Sequence, residues 1–556
     1  MTVCIQYTKS AAGQAEGEIF GLDVAVNNFL AAYFRYGKPE KFVCRPTDIP
    51  SFEHFKALAH ANGIRDDSRI VGIDPRHPKH NLGGISCIFR PDPLIGDLMW
   101  RRQQIPAPGF SVCGLVHTMS GERIARAVGE LCLTPCDGND ALICPSEAIR
   151  DVVKKLWEIQ AEYLNFHFGG QYKCPIQTPV IPLGIDTDKF LKLSLPTKRL
   201  PQRQALGAAE DEVVLLFVGR LSFATKAHPL ALFMAAERAA QRTQKKIRLV
   251  MFGYFKPKDM EPHFRALAAD ICKTVKVDFV TNDDPRFPEG LWAGADAFIS
   301  LSDNIQESFG LTPVEAMACG LPVIITDWNG YKGAIRNGRD GFLIPIVAPQ
   351  PSAGMGIAEA YYNEENYGIS LMGASQSTAV DIEECAKAIE ALASDGDKRR
   401  SLGFSGRQRA LGMFDWKNII KSYEDLWKAL AEKRAATPPK PQLPPGWQAV
   451  HPAYPNPFEM FRSFPSSVIA PQDIVRVVMS KEEIAGIIKH EMNYFVPSLL
   501  VPKDAMLELV EIIRRAGTPS VYDITIAFPD GEQDRILRCI GWLLKHGVCA
   551  LEHKAA

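Results

Sequence analysis

The sequence predicts an α/β protein with two Rossmann-like halves that face a cleft, followed by a small, mainly helical domain. Short apolar runs of strand character alternate with stretches of helical apolar spacing, which is typical of parallel strands joined by helices. The pattern starts again at Val213, which indicates a second sheet. Nine prolines in residues 437–465 then indicate an extended linker, and a globular helical pattern returns beyond it.

Composition narrows the class of protein. Of 556 residues, 46% are hydrophobic and 23% are charged, which is typical of a globular protein with several cores. The 63 Lys and Arg residues nearly balance the 64 Asp and Glu residues, so overall charge does not favour nucleic acid or an anionic membrane as a partner. The amino terminus lacks a signal-peptide pattern, and the longest apolar run, residues 213–218, is too short to span a bilayer, which predicts a cytoplasmic protein without a transmembrane segment.

The cysteines indicate a reduced protein. All 13 are scattered singly, many of them in apolar strand or helix patterns, and no C-x-x-C pair occurs. We therefore predict core cysteines and no metal site.

Strands of the first half are predicted at residues 2–8, 41–44, 69–73, 109–117 and 140–144. A small-residue loop at residues 10–21, which includes Gly17 and Gly21, follows the first strand and leads into a helix that Gly37 ends. The loop lacks a G-x-G-x-x-G fingerprint, so a nicotinamide cofactor is disfavoured.

Three further features of the first half are candidates for ligand contact. His117 lies at the carboxyl end of a predicted strand, the edge at which open α/β sheets bind ligands. Asn81 to Gly84, with the Arg-Pro-Asp-Pro string at 90–93 nearby, is predicted to form a loop at the same cleft. Ser146 suits the N-cap of a helix that begins at Ala148, and that structural role alone would explain it.

The second half opens with an apolar strand that leads into an anion site. Gly219 and Arg220 end the strand, and Lys226 follows six residues after Arg220, before a helix from Pro229. Gly219 lets the backbone approach a ligand, and two cations near a helix N-terminus suit a phosphate group. Either cation alone would be interpreted as a solvated surface charge.

The most informative stretch is residues 303–320. Glu307 and Glu315 stand eight residues apart, and Pro313 suits the first turn of a helix, so Leu311 and Thr312 are predicted at its start. The free N–H groups and positive dipole end of such a helix bind phosphate, while the carboxylates can accept hydrogen bonds from sugar or ribose hydroxyls. The stretch therefore predicts a nucleotide-sugar site.

This stretch, with its two glutamates, Phe309-Gly310-Leu311 and Glu-Ala-Met-Ala-Cys-Gly, resembles the donor motif of retaining GT-B glycosyltransferases of the family 4-like kind, the glycosyl transferases group 1. The resemblance is most specific over residues 213–344. It implies the GT-B fold and a hexosyltransferase that takes a sugar from a nucleotide-diphosphate donor with retention of configuration. The donor would be a UDP-, GDP- or ADP-sugar, and the acceptor is left open.

The resemblance also implies roles for individual residues. The catalytic set would be His117, Arg220, Lys226 and Glu307: the two cations neutralise the departing diphosphate, and His117 and Glu307 orient the sugar. Glu315 would hold the ribose. Further donor contacts are implied for Gly219, Gly253, Phe309, Gly310, Leu311 and Thr312. Acceptor-side contacts are expected from Gly17, Gly21, Asn81, Gly84 and Ser146.

No cofactor and no metal are expected to be required, because fixed cations meet the phosphate charge. Two departures from the family pattern stand out. The sequence Leu-Ser-Phe-Ala-Thr between Arg220 and Lys226 differs from the sequence that is commoner in the family at this place. Gly333 occupies a position at which the family usually has an acidic residue.

The predicted domains are residues 1–190 (Rossmann-like, acceptor side), 191–415 (Rossmann-like, donor side), 416–436 (a helix that crosses back to the first domain), 437–471 (a Pro-rich linker) and 472–556 (a winged-helix-like module). The predicted final helix of the module is mostly apolar, with only Arg535, Arg538 and Lys545 basic. This favours a protein partner or self-association over nucleic acid.

Alternative functions remain open at this stage. Another activity on the same fold, such as a nucleotide-sugar epimerase or a phosphorylase, would share the architecture. A scaffold or regulatory protein that acts through the C-terminal module is a different class, and Gly333 weakly favours it.

Overall fold

The computed structural model describes residues 1–9, 21–74, 82, 84–105, 109–364, 366–438, 443–447 and 449–553, with side chains in the first helix from residue 25 onward. The chain divides into two units, residues 1–450 and 451–556. The first unit holds both large sheets, and the second has its own hydrophobic core.

The first sheet has six parallel strands in the order β3-β2-β1-β4-β5-β6. The strands are β1 Val3–Tyr7, β2 Phe42–Pro46, β3 Ile70–Gly72, β4 Cys87–Arg90, β5 Ser111–Leu115 and β6 Ala141–Ile143. Its helices are α1 Gly21–Tyr36, α2 Ile49–Ala61, α3 Gly96–Arg102, α4 Glu122–Glu130 and α5 Glu147–Phe168. Every residue of β1 is buried, because Ile5 and Tyr7 face one core and Cys4 faces another.

Two details of this half differ from the sequence prediction. Strand β4 was not predicted, yet it is the central strand that pairs with both β1 and β5. The strand has only four residues, ends at Arg90 and is followed by Pro91. A run this short with a polar end cannot be distinguished in the sequence from the neighbouring loop. Helix α5 continues to Phe168, beyond the predicted end near Gln160, and Gly169 follows it with a φ of 72°.

The second sheet repeats the same topology, in the order β12-β11-β10-β7-β8-β9. Its strands are β7 Val213–Leu221, β8 Ile247–Phe255, β9 Lys276–Thr281, β10 Ala297–Ser300, β11 Val323–Thr326 and β12 Gly341–Ile344. Helices α6 Thr187–Leu193, α7 Pro196–Leu206, α8 Leu230–Thr243, α9 Glu261–Ile271, α10 Leu311–Ala318 and α11 Tyr331–Ala334 surround it. The polar stretch at residues 192–203 is mostly helical.

An insertion follows β12, in a segment for which the sequence predicted no regular structure. Strands β13 Ile346–Val347 and β14 Ala379–Val380 pair antiparallel, and the chain between them forms α12 Met355–Glu364 and α13 Tyr367–Ser375. Helix α12 has no buried residue, and α13 buries only Leu371 and Ser375. These helices were missed because they have no apolar stripe to bury.

The remaining helices of the first unit return the chain to the first sheet. They are α14 Ile382–Ser394, α15 Gly396–Arg409, a π-helical turn at Ala410–Phe414 and α16 Trp416–Ala436. The buried face of α16, which includes Ile420, Tyr423 and Trp427, belongs to the same core as Val3 and Phe89 of the first sheet. The last helix of the second half therefore packs on the first half.

Short elements precede and form the second unit. Strands β15 Ala449–His451 and β16 Tyr454–Pro455 and helix α17 Pro457–Met460 come first. Antiparallel strands β17 Ile474–Val477 and β18 Cys549–Glu552 then accompany helices α18 Lys481–Lys489, α19 Lys503–Ala516, α20 Val521–Ile526 and α21 Gln533–Lys545. The sequence predicted a mainly helical module with a final helix, which is α21, but not strand β17.

Candidate functional site

The candidate site lies at the carboxyl-terminal edge of the second sheet. Strands β10 and β7 are neighbours there, although β8 and β9 separate them in sequence, so this is the point at which the strand order reverses. Open α/β sheets bind ligands at such switch points. Arg220 near the end of β7 and the loop from Leu301 to Gly310 after β10 both lie at this edge.

A buried ion pair joins the two sides of the site. The Lys226 ammonium contacts the Glu307 carboxylate, and the side chains are 20% and 10% exposed. Burial is the largest single influence on Lys226 and would lower its pKa, but the Glu307 charge, the nearby Tyr331 and the hydrogen bond to Glu307 together outweigh it, so the net pKa is raised. The converse holds for Glu307: burial would raise its pKa, while Lys226 and the backbone N–H groups of Ser308 and Phe309 hold it below its usual range. Both groups are therefore charged at neutral pH.

Arg220 is the second cation of the site. Its Nη2 donates to the Thr225 carbonyl at 3.0 Å and to Gln306 Oε1 at 2.8 Å. Its Nε is buried and has no hydrogen-bond partner among the described residues. No carboxylate within those residues forms an ion pair with it either, so its charge remains available to an anion.

Two glycines permit close backbone approach around these cations. A Cβ on Gly253 would lie 1.8 Å from the Gly219 carbonyl oxygen, since β8 and β7 pair at these residues. Gly310 has a φ of 87°, and a Cβ there would lie 2.1 Å from the Tyr331 ring. A side chain at either position would displace the strand or loop that positions Arg220 or Glu307.

Helix α10 presents its N-terminus to the site. It begins at Leu311 and Thr312, as the sequence predicted, and Gly310 caps it without a side-chain hydrogen bond. The first N–H groups of the helix are therefore not taken by a capping side chain, and they combine with the dipole to favour an anion. The preceding residue, Phe309, is 3% exposed and anchors the loop in the core.

Two acids near the site are poorly solvated. Burial raises the pKa of Glu315, on α10, to about 7, and the charge of Lys189 offsets part of that effect. Burial likewise raises the pKa of Asp303 to about 7. Asp303 Oδ2 accepts the His228 N–H at 3.2 Å, while its Oδ1 is buried without a hydrogen-bond partner among the described residues. Nothing in the sequence pattern around Asp303 indicates that its side chain is buried.

His117 lies two residues beyond β5 on the first half. Its Nε2 is 2.8 Å from the Pro91 carbonyl oxygen, which accepts the ring proton. Burial lowers the pKa of His117, so the ring is neutral. The ring and Leu311 of α10 line one cavity of about 20 Å³, which places His117 opposite the start of α10.

The residues expected on the acceptor side are more dispersed. Ser146 caps α5 and also donates from its hydroxyl to the Ser308 carbonyl at 2.9 Å, so it joins the first half to the Glu307 loop. Gly84 is in a turn with a φ of 87°, and no atom lies within 4 Å of the position a Cβ would take. Gly21 begins α1. Gly17 and Asn81 lie outside the described residues.

Sequence reasoning missed a link across the site. Tyr367 of α13 has its hydroxyl 2.7 Å from Ser120 Oγ in the first half and 3.3 Å from Gln306 Nε2 in the second. Tyr361 of α12 accepts the Glu122 N–H at 3.0 Å. Because Gln306 also holds Arg220, a continuous hydrogen-bond path runs from Arg220 to Ser120. No motif signals this path, since both tyrosines lie in the insertion.

Gly333 is on α11, and the space that a Cβ would occupy there is open. The position therefore has room for a side chain, although Gly333 supplies none. Within the described ranges, no group of three or more His, Cys, Asp and Glu side chains is placed to hold a metal ion. No helix of the described residues has the length and apolar character needed to span a membrane.

Two six-stranded parallel sheets of the same Rossmann order, with the last helix of the second half packed on the first, define a GT-B protein. Residues 198–367, which contain the site on the second sheet, match the model of the family described as glycosyl transferases group 1. This part of the chain is therefore similar to group 1 glycosyl transferases.

Curated relatives match over a longer stretch. D-inositol 3-phosphate glycosyltransferase of Geodermatophilus obscurus is 30% identical over 300 residues, or 52% of this chain and 55% of the relative. The protein of the same name from Kribbella flavida is 26% identical over 280 residues, or 50% of this chain and 56% of the relative. The chain thus spans about half the length of the curated relatives it matches.

Solved structures with a similar chain path include HepE of Anabaena in complex with UDP, which is 17% identical, with a TM-score of 0.49 over 77% of this chain and 100% of that chain. Sucrose-phosphate synthase from Thermosynechococcus elongatus is 18% identical, with a TM-score of 0.46 over 78% of this chain and 100% of that chain.

Proposed function

We propose that this protein is a retaining glycosyltransferase that moves a sugar from a nucleotide-diphosphate donor to an acceptor. The observation that supports this most strongly is the convergence of Arg220, Lys226 and the open N-terminus of α10 at the switch point of the second sheet. Three sources of positive potential at one sheet edge suit a diphosphate that gains charge as it leaves.

Glu307 is proposed to bind the sugar while it holds Lys226. Its carboxylate has two oxygens, one of which contacts Lys226. The other oxygen receives the Ser308 N–H at 3.2 Å and retains a lone pair for a sugar hydroxyl. Lys226 retains two N–H groups that can donate to phosphate oxygens. The one ion pair would therefore orient both the sugar and the diphosphate of the nucleotide sugar.

His117 is proposed to contact the sugar through Nδ1. Because Nε2–H donates to the Pro91 carbonyl, the neutral ring leaves Nδ1 unprotonated, and this nitrogen can accept a hydrogen bond from a hydroxyl. His117 would therefore position the sugar rather than transfer a proton.

Glu315 is proposed to hold the ribose as an acceptor of its hydroxyl hydrogens. The fixed cations would make a metal ion dispensable for catalysis. Closure of the two halves over the donor would exclude water and limit hydrolysis. The donor base and sugar are left open, and inositol phosphate is the first acceptor to try because of the names of the curated relatives.

The test combines donor binding with product analysis. The purified chain is titrated with UDP-, GDP- and ADP-sugars, and the anomeric configuration of any product is determined by NMR. We expect one nucleotide class to raise the melting temperature, and Arg220→Gln and Lys226→Gln to weaken its binding at least tenfold. The matched controls are Arg339→Gln and Lys276→Gln, both exposed. Equal donor binding by site variants and controls would refute the proposal, and an inverted product would refute the retaining mechanism.

Product analysis also separates the other activities of this fold. A phosphorylase would require inorganic phosphate to cleave a glycoside, and an epimerase would return a nucleotide sugar instead of a glycoside. Either outcome would agree with the proposed donor site but would show that the protein is not a transferase.

A further inference from the structure

A turn that begins at Trp328, shortly after β11, packs against the Glu307 loop. Trp328 Nε1 donates to the Asn304 carbonyl at 3.0 Å. A Cβ on Gly330 would lie 2.4 Å from the Ser308 carbonyl oxygen, so the two backbones are in direct contact there. The turn is therefore fixed against the loop that carries the acid of the candidate site.

Between Trp328 and Gly330, Asn329 has an unusual backbone conformation. Its φ is 44°, and within the described ranges the one other residue besides glycine with a positive φ is Gln244, at 54°. Glycine adopts this left-handed region freely, whereas a side chain there is unfavourable for most residues, and Asn is among those that tolerate it best. An amide thus occupies a position that suits glycine, which directs attention to what the amide contacts.

The Asn329 amide contacts the backbone of the site. Its Nδ2 donates to the Glu307 carbonyl oxygen, and its Oδ1 is buried without a hydrogen-bond partner among the described residues. Because a carbonyl oxygen can only accept, the nitrogen of the amide must face Glu307. The side chain therefore holds one end of the peptide bond that joins Glu307 to Ser308.

The other end of this peptide bond holds the Glu307 carboxylate. The Ser308 N–H donates to Glu307 Oε1 at 3.2 Å. The C=O and N–H groups of a trans peptide point in opposite directions from one rigid plane, so a donor that fixes the carbonyl also fixes the direction of the N–H. Asn329 thus acts on the carboxylate through the backbone.

Oε1 is the oxygen on which the proposed sugar contact depends, because Oε2 contacts Lys226. If the peptide plane turned, Oε1 would lose the Ser308 N–H and the carboxylate could adopt other orientations. A carboxylate that accepts a hydrogen bond from one sugar hydroxyl needs a single orientation.

We propose that Asn329 is a positioning residue that orients the Glu307 carboxylate toward the sugar of the donor. This inference rests on the proposed function, which assigns the sugar to Glu307. It deepens that function by dividing the donor site: the sugar contact depends on Asn329, whereas Arg220 is held by the Thr225 carbonyl and Gln306 and binds the diphosphate without it.

The test compares two ligands that differ only in the sugar. Isothermal titration calorimetry on the full chain measures the affinity for UDP and for UDP-glucose, with the GDP and ADP pairs in parallel. Asn329→Gly removes the amide and keeps a residue that suits the backbone conformation. We expect it to bind the diphosphate as tightly as wild type does and the glucose derivative about fivefold more weakly, as for the loss of one hydrogen bond.

The matched control is Gln244→Gly, at the other left-handed position and on the surface. It should leave both affinities unchanged. A second variant, Asn329→Asp, is nearly the same size as wild type and tolerates the same φ, but it places an oxygen against the Glu307 carbonyl and cannot donate. We expect it to weaken the glucose derivative relative to the diphosphate at least as much as Asn329→Gly does.

The comparison of the two ligands separates positioning from a structural role. We expect the melting temperatures of Asn329→Gly and Gln244→Gly without ligand to remain close to that of wild type. A lower melting temperature for Asn329→Gly, together with equal weakening of the diphosphate and its glucose derivative in both Asn329 variants, would show that Asn329 only stabilises the loop and would overturn the inference.

The failures of the two proposals are distinguishable. If wild type binds none of the three diphosphates, the proposed function is wrong and the inference falls with it. If wild type binds a diphosphate and its glucose derivative, and Asn329→Gly binds both equally well, the positioning role alone is wrong. If wild type binds a diphosphate but none of the glucose derivatives, there is no sugar contact for Asn329 to orient, and the inference is again wrong.

Discussion

At the residue scale, the Lys226–Glu307 pair links two segments that are distant in sequence. The two side chains were each assigned to the donor site from their motifs, but their contact was not predicted. They lie 81 positions apart, and no local pattern encodes a contact at that separation. The pairing depends on the adjacency of β7 and β10, which is a property of the sheet order.

We expect Lys226→Met to lower the free energy of unfolding by about 3 kcal/mol, because it leaves the Glu307 carboxylate buried and unpaired. The double variant Lys226→Met/Glu307→Gln should recover much of this loss, since no unpaired charge remains. Urea denaturation of both variants measures the effect. The control is Lys155→Met, whose ion pair with Glu158 is solvent-exposed and should contribute less than about 1 kcal/mol. Equal losses for Lys226→Met and the control would show that the pair is not a buried interaction.

Glu315 makes stability depend on pH. Its pKa is raised by burial from 4.5 to about 7, so between these values the folded state holds a proton that the unfolded chain has released. The contribution of Glu315 to stability must therefore fall as pH rises from about 4 to 7 and then level off. Glu315→Gln removes this dependence and is expected to raise the free energy of unfolding at pH 8 by about 2–3 kcal/mol, with little change at pH 4.

Urea denaturation at several pH values tests this, with exposed Glu158→Gln as the control. Asp303 titrates in the same direction and remains in both proteins, so the quantity to compare is the difference between variant and wild type. A difference that is the same at pH 4 and pH 8 would contradict the assigned protonation of Glu315.

At the element scale, the insertion between β13 and β14 connects the halves through tyrosine hydroxyls. Tyr367 contacts Gln306, which in turn contacts Arg220. Among the described residues, the hydroxyl of Tyr361 makes its one hydrogen bond to the backbone N–H of Glu122. We expect Tyr367→Phe to lower donor turnover severalfold with a smaller change in donor KM, because Arg220 is less well oriented when the diphosphate departs. Tyr361→Phe is the matched control and should retain wild-type turnover.

Steady-state kinetics with the donor identified by titration measure both parameters. The effect on unfolding should be small for both variants, about 1 kcal/mol for Tyr367→Phe, since each removes a partly exposed hydroxyl. Equal turnover in the two variants would show that the insertion contacts are structural only.

The strands and helices also show which elements could be predicted from the sequence and why others could not. Most strands of both sheets were predicted because buried parallel strands are nearly continuous apolar runs, as in β7. Strand β4 has only four residues and ends in Arg-Pro, and β17 alternates with Arg476, so neither has a distinctive pattern. Helices α12 and α13 bury almost nothing, and helices without an apolar stripe leave no periodic signal.

For the candidate site, the sequence predicted charged residues and a helix start that the structure brings together, but not the partners that position them. Arg220, Glu307 and the start of α10 belong to local motifs, and the structure places them at one edge. Gln306, Tyr367 and Asp303 make contacts that form only after folding.

At the scale of the whole molecule, helix α16 follows the second half in the chain and packs on the first sheet. Trp427 is fully buried, and its ring centroid lies 5.4 Å from that of Phe89 and 5.7 Å from that of Tyr33. We expect Trp427→Ala to lower the free energy of unfolding by about 3–5 kcal/mol, as for other large core truncations. Denaturation measures this loss, and limited proteolysis should then cleave near Phe414, at the start of α16.

The control for this variant is Lys428→Ala, one position along the same helix and solvent-exposed, which should change stability by less than about 0.5 kcal/mol. Proteolysis at the same rate in Trp427→Ala and wild type would show that α16 remains docked without the indole.

The unit at residues 451–556 is expected to fold by itself. Its core contains fully buried Met506, Ile513, Cys539 and Leu543, contributed by α19 and α21. Since this core draws on several elements of the unit, the isolated fragment should unfold in one cooperative transition, and the full chain should show a matching transition by calorimetry. A fragment without cooperative unfolding would show that the unit depends on the rest of the chain.

The basic side chains of this unit do not favour nucleic acid as its partner. On α21, Arg535 pairs with Glu532 at 2.9 Å and Arg538 donates from Nε to the Leu499 carbonyl at 3.0 Å, so two of the three basic side chains named from the sequence are already engaged. We therefore expect the fragment to give no salt-dependent shift of duplex DNA in a gel, whereas a nucleic-acid reader loses affinity steeply with salt. A shift that weakens as salt rises, and that Lys545→Gln reduces, would instead identify a DNA-binding module.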